Sequence, residues 1–300
     1  MSPESACASQ EFFPAVLPAA KIPLWLVTLG SSAAAVGLTE AIAKGTHLSS
    51  VDIQAYMPGN KPLLVESYKF DDVVLSSLQT SASPGSTANQ VGFDYAKMGH
   101  SHFEADLQGG TGDETRAGFD AKQGQATNVG GGGAVSNPKL EFAPQDLDYY
   151  AFFEGVGGGE WLRLDAFSMG LTSQTSLSGG TGKLLPSDVM LGLGASGPLV
   201  ELSKELFSGA HIKFAEIEAY APGSKPQLVD EFRFEDVLVT SWHSAGATDN
   251  ALSFDFGKFS HGHVQTDATG KVTGSVSEGY DFSLAKAFDG PAPDADIVFF

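Results

Sequence analysis

Three hundred residues are long for one ordinary domain and enough for two, each able to bury a core without covalent staples. Acidic residues outnumber basic ones by 36 to 17, for a net charge of −19, so nucleic-acid backbones and anionic membrane surfaces would be repelled. The single cysteine, Cys7, excludes an intrachain disulfide and a cysteine-based zinc site.

The opening MSPESACASQE has no basic n-region, so no cleaved secretory signal is expected and export would need another route. The most apolar stretch, Phe12 to Gly30, is broken by Pro14, Pro18, Lys21 and Pro23, which argues against a transmembrane helix and membrane insertion. From Leu29 the chain begins to repeat itself: LGSSAAAVGLTEAIAKGTHLSSVDIQAYMPGNKPLLVESYKFDDVVLSSLQ lies over LGASGPLVELSKELFSGAHIKFAEIEAYAPGSKPQLVDEFRFEDVLVTSWH, which starts at Leu193. After a loop three residues longer in the first copy, FDYAKMGHSH (93–102) matches FDFGKFSHGH (254–263), and Gly118-Phe119-Asp120 matches Gly279-Tyr280-Asp281. Between the copies, QATNVGGGGAVSNPK (125–139) reads as a flexible linker, its four consecutive glycines favouring no single conformation.

Within a copy the pattern is mostly β. In AEIEAY, Ala215, Ile217 and Ala219 share one face and Glu216 and Glu218 the other, as in a half-buried strand, and VDIQAY repeats this. Leu199, Leu202, Leu206 and Phe207 follow helical spacing between Pro198, which can start a helix, and Gly209, which can end it; one apolar stripe should seal that helix on the sheet. PGNK and PGSK are turn signals leading to strands in which Phe232 and Phe234 alternate with charges, so a hairpin is expected. Phe232, Phe234, Phe254 and Phe256 read as core aromatics.

The run from Leu228 to Phe288, with FEDVLVTSW, ALSFDFGKFSHGHVQ, DATG and GYDFSLAKAF, resembles the C-terminal half of the haemolysin-coregulated protein family, the tube protein of type VI secretion systems. DYYAFFEGVGGGEWLRLDAFSMG (148–170) resembles that family's opening strands and GPLVELSKELFSGAHI its single helix. The resemblance covers about 146–290 nearly end to end, but only about 29–121 of the first copy. It implies a mainly β protein of tandem small antiparallel β-barrels, each with one short α-helix. The implied division is an N-terminally incomplete barrel over 1–124, the linker, and a complete barrel with a C-terminal tail over 140–300. It also implies hexameric rings stacked into a tube, secretion, and effector or secretion-apparatus proteins as partners.

The four histidines of the two His-x-His motifs are the candidate site residues. On unbroken strands His261 and His263 share a face, as do His100 and His102, and each pair could chelate one metal ion. A third ligand is wanting: Asp255 and Asp94 are on the same face but several residues away, and Glu104 in the first copy is replaced by Gln265 in the second. The family usually carries aromatics at these positions, so the resemblance implies a strand surface or ring contact. No catalytic residue and no cofactor is expected, since two histidines supply neither nucleophile nor oriented carboxylate. His47 and His211 read as structural. GVGGGEW and SGGTGK lack the spacing of a phosphate loop, and Asp71-Asp72 and Glu235-Asp236 read as solvated or capping pairs.

The leading functional reading is a non-enzymatic secreted structural protein that assembles into a ring, tube or filament. Three chains carrying two barrels each would make a pseudo-hexamer, and a linker of about fifteen residues has a root-mean-square span of roughly 20–25 Å. The alternatives are an acidic extracellular matrix or surface protein built on the same barrel, and a metal-dependent enzyme at the His-x-His strands. A barrel lacking its first strands leaves an open edge. Candidates to fill it are the N-terminal segment, the C-terminal DADIVFF read as an edge strand or an uncleaved export signal, or a strand exchanged from a neighbouring chain.

Overall fold

The computed structural model describes residues 25–57, 62–105, 111–134, 146–174, 183–194, 196–244, 250–267 and 270–297. The first half runs β1 (Trp25–Leu29), α1 (Ala33–Lys44), β2 (His47–Met57), β3 (Leu63–Ser83), β4 (Ser86–Ala105), β5 (Thr111–Asp120) and β6 (Gln125–Thr127). The second runs β7 (Asp148–Phe153), β8 (Leu162–Ser173), β9 (Leu184–Pro186), β10 (Val189–Leu193), α2 (Gly197–Ser208), β11 (His211–Ala221), β12 (Gln227–Ser244), β13 (Asn250–Asp255), β14 (Lys258–Thr266), β15 (Val272–Asp281) and β16 (Lys286–Phe288). From β1 and from β10 onward the two halves share a register. His47 faces Val74 as His211 faces Leu238, and the ladder slips at Tyr56 as at Tyr220.

Both helices end where the sequence supplies a glycine able to turn left-handed: Gly45 at φ 60° and Gly209 at φ 63°. Ser32 opens α1 by accepting the Ala35 N–H, and Pro198 lies in the first turn of α2.

The second half closes. β7 pairs with β8, β8 with β10, β10 with β13, β13 with β12, β12 with β11, and β11 back with β7, all antiparallel. Phe234 and Phe254 meet edge to face inside this six-stranded barrel, and all four expected core aromatics are buried. β14, β15 and β16 continue outward from β12 as a flange.

The first half does not close. Among the described residues it has no counterparts of β7 and β8, and there β1 pairs only with β4 and β2 only with β3. The far end of β3 crosses to the second half instead: Ser77–Ala82 pair with Phe167–Thr172 of β8, on the edge of β8 that β7 leaves free. The two halves therefore share one sheet and one apolar core, in which Phe70, Val73 and Phe93 join Tyr149, Leu164 and Phe167.

The glycine run is not a free tether over its described part. β6 pairs with β5, and the chain then crosses the outer face of the first half as a strap. Gly131 N–H donates to Ser101 Oγ (2.8 Å), Ser67 Oγ donates to Gly131 O (2.8 Å), and Gln54 Nε2 donates to Gly133 O (2.9 Å). Glycine is needed for this approach, since a β-carbon on Gly131 would fall 1.9 Å from Ser67 O. Gly131→Ala should cost about 1–3 kcal/mol in urea unfolding, whereas Gly133→Ala, with nothing within 4 Å of its β-carbon, should cost nothing.

Up to Ile297 the C-terminal residues follow the same path in the second half, so the described part of DADIVFF is not an edge strand. Gly290 lies against Ser277 and Ser260, and Pro293 against Gly262. Asp294 N–H donates to Glu231 Oε2 (2.9 Å) and Asp296 N–H to Glu218 Oε1 (3.2 Å). Ile297 then packs against the buried cluster of Tyr220, Leu228 and Val264. The tail thus lies across its own barrel and does not fill the gap of the first half; residues 298–300 lie outside the described residues.

Candidate functional site

β14 lies beside β12 with His263 opposite Asp230 and His261 opposite Phe232, which puts one carboxylate against both rings. Asp230 Oδ1 is 2.8 Å from His263 Nδ1 and 3.2 Å from His261 Nε2, and the His261 ring stacks on Phe232 at 4.3 Å. Ser31, from the loop before α1, donates its hydroxyl to the other oxygen of Asp230. All four polar residues are buried. Burial alone would raise the Asp230 carboxyl, but the bonds and charges of His261 and His263 outweigh it and hold the group well below the ordinary carboxylate range.

The first half repeats this arrangement at its surface. Glu66 Oε2 meets His100 Nε2 at 2.5 Å, Glu66 Oε1 meets His102 Nδ1 at 2.7 Å, and His100 stacks on Tyr68 at 4.3 Å. The hydrogen bonds of both histidines hold the Glu66 carboxyl below its usual value. His102 is exposed, His100 and Glu66 are part-exposed, and nothing from another repeat covers them among the described residues.

The carboxylate on the neighbouring strand, at positions 66 and 230, is the partner that same-strand reasoning missed. Asp94, Glu104 and Gln265 do not bond to the pairs, and Asp255 accepts the Phe256 N–H (2.8 Å). Among the described residues no three His, Cys, Asp or Glu side chains are placed to hold a metal ion. The Ser31 hydroxyl is given to the carboxylate and not to a histidine, so it is not set up as a nucleophile.

His47 and His211 each bond to the acid that ends an aligned carboxylate pair. His47 Nδ1 is 3.0 Å from Asp72 and His211 Nδ1 is 2.6 Å from Asp236, and these two aspartates hold positive φ values of 53° and 58°. The loop at Gly157 turns its N–H onto Glu201 of α2 (2.7 Å), so an acid of the chain itself occupies that donor; most of SGGTGK lies outside the described residues.

What surrounds the two His-x-His sites differs because α1 and α2 lie in different surroundings. α1 packs on β3 and also covers β14, β15 and β16 of the other half, whereas α2 packs on β12 of its own half. At the aligned positions, Val36 is 1 % exposed and Val200 58 %. Phe207, aligned with the half-buried Ala43, is 78 % exposed, so the apolar stripe expected to seal α2 on the sheet is only partly buried.

Beneath the C-terminal strap, Glu216, Glu218 and Glu231 point outward from β11 and β12 yet are buried. Arg233 pairs with Glu216, and Tyr220 donates to Glu218 Oε2 (2.7 Å). Burial pushes Glu218 and Glu231 up to about 7, although the strap amides pull the other way. These values lie above the ordinary 4.5, so the folded state favours the protonated acids, and the associated stability is lost as pH rises through about 7. Hydrogen exchange at the Asp294 and Asp296 amides, corrected for intrinsic rate, should therefore accelerate from about pH 6 to about pH 8. The strap of the first half, bonded through Ser67, Ser101 and Gln54, should not respond.

Among the described residues these features define a mainly β protein with a closed six-stranded antiparallel barrel and two α-helices. Residues 25–102 match the family model described as type VI secretion system effector, Hcp, and over that stretch the chain is similar to that family. Similar solved structures include one titled a type six secretion system protein, at 18% identity, covering 47% of this chain and 99% of that chain with a TM-score of 0.43. Hcp1 from Salmonella typhimurium is similar at 17% identity, with 47% and 99% of the two chains covered and a TM-score of 0.39. A type VI secretion system effector from Yersinia pestis is similar at 19% identity, with 45% and 99% covered and a TM-score of 0.37. No curated protein matches. Among the described residues no helix is long and apolar enough to cross a membrane.

Proposed function

We propose that the chain is a non-enzymatic, exported structural protein built from two tandem Hcp-like repeats, and that it works by self-association into a ring, tube or filament. The observation that carries this reading is the seating of one repeat on the other. β3 extends the sheet onto β8, α1 covers the flange β14–β16, and Ser31 bonds to a buried carboxylate 199 positions away. A module that buries its polar cluster against its own like has the chemistry of a subunit. The family-model match over residues 25–102 supports the type VI setting, with effector or secretion-apparatus proteins as partners. Three chains would supply six repeats.

Light scattering and negative-stain microscopy of the purified full chain test the reading. Masses of several chains with regular particles are expected. The mass of one chain at every workable concentration, with no particles on grids, would overturn it.

A further inference from the structure

The junction between the repeats has a helix side, α1, and a flange side, β14–β16 with Asp230, His261 and His263. Each side has an aligned counterpart that nothing covers among the described residues. The counterpart of α1 is α2, with Val200 and Phe207 exposed. The counterpart of the flange is β4, β5 and β6 with Glu66, His100 and His102, where His102 is exposed and β5 is exposed from Gly112 to Ala117.

We propose that α2 of one chain docks on the β4–β5–β6 flange of a second copy, closing over Glu66, His100 and His102 as α1 closes over Asp230, His261 and His263. The proposal rests on the self-association reading and gives it a surface. The occupant fits in kind: α2 offers an apolar ridge of Val200 and Phe207, aligned with the buried Val36 and with Ala43, which lines a cavity together with Tyr280 and Lys286 of the flange, and both flanges present an aromatic-stacked histidine beside a carboxylate. One difference is readable in the sequence. Ala stands at position 195 where Ser31 stands in the first repeat, so Glu66 would be served by its two histidines alone.

Such an interface is heterologous, because the patch on one chain differs from the patch it meets on the next. Repetition then yields a closed ring if the rotation closes and a filament if it does not. The intrachain junction sets the same helix-on-flange relation between repeats one and two, while its β3–β8 pairing has no equivalent at the step between chains, because the described first repeat has no counterpart of β8.

Two single variants of the full chain test this. Phe207→Asp puts a charge on the exposed ridge of α2, and His102→Asp puts a second carboxylate beside Glu66 on the exposed flange. Both positions are on the surface, so the chain should fold, which the circular dichroism melt checks. Each variant should weaken association by about 30-fold or more, the effect of losing a central anchor. Mixed together they should form a dimer, since each retains the face the other has lost. Assembly of wild type with both variants assembling equally well would overturn this interface and leave the self-association reading standing. A wild type that never assembles would overturn both.

Discussion

Asp230→Ala should lower the unfolding free energy of the chain by about 3–5 kcal/mol, while Glu66→Ala should change it by less than about 1 kcal/mol. The two acids occupy aligned positions and touch aligned histidines, so side-chain chemistry cannot separate them. Burial does. Removing Asp230 leaves His261, His263 and the Ser31 hydroxyl without their shared acceptor at a place water does not reach. Removing Glu66 leaves His100 and His102 free to bond to solvent. Urea unfolding monitored by circular dichroism measures both; equal costs would contradict the division into a closed junction and an open one.

The second large effect is expected at Val36. Val36→Asp should destabilise the chain by on the order of 3–5 kcal/mol, because an unpaired carboxylate would be forced into a buried site on α1. Val200→Asp, the same change at the aligned position of α2, should leave stability within about 0.5 kcal/mol, because the side chain already faces solvent. Hydrogen exchange adds a spatial readout. Val36→Asp should raise exchange along β14 and β15, which α1 covers, and Val200→Asp should not. Comparable losses from both variants would contradict the different burial of the two helices.

The physics of these pairs also explains what could be read from the sequence. The hairpin of β11 and β12 was legible because PGSK and the alternation around Phe232 and Phe234 are local signals, and α2 was legible between Pro198 and Gly209. The carboxylate partner of each His-x-His pair was not, because strand register is set across the sheet and Asp230 is 33 positions from His263. One signal was present: an acid stands at both 66 and 230. Glu216 and Glu218 read correctly as the outward face of a strand, but the strap that buries them follows the last strand of the barrel and leaves no mark in AEIEAY. The glycine run read as a linker because composition reports conformational freedom and cannot report close approach to Ser67 and Ser101. The different burial of α1 and α2 was invisible for the same reason as the register, since it depends on which repeat lies beside which.

Cross-linking tests the central claim, that the junction inside the chain is repeated between chains, most directly. Lys44 and Lys286 line one cavity of about 660 Å³ at the intrachain junction, and the aligned positions are Ser208 and Gln125. In a chain carrying Ser208→Cys and Gln125→Cys with Cys7→Ser, a short bis-maleimide should give a ladder of covalent dimers, trimers and higher species on a denaturing gel. The single-cysteine chains should give dimers at most. A cross-linker that leaves only single chains, in a sample that light scattering shows to be assembled, would contradict the account.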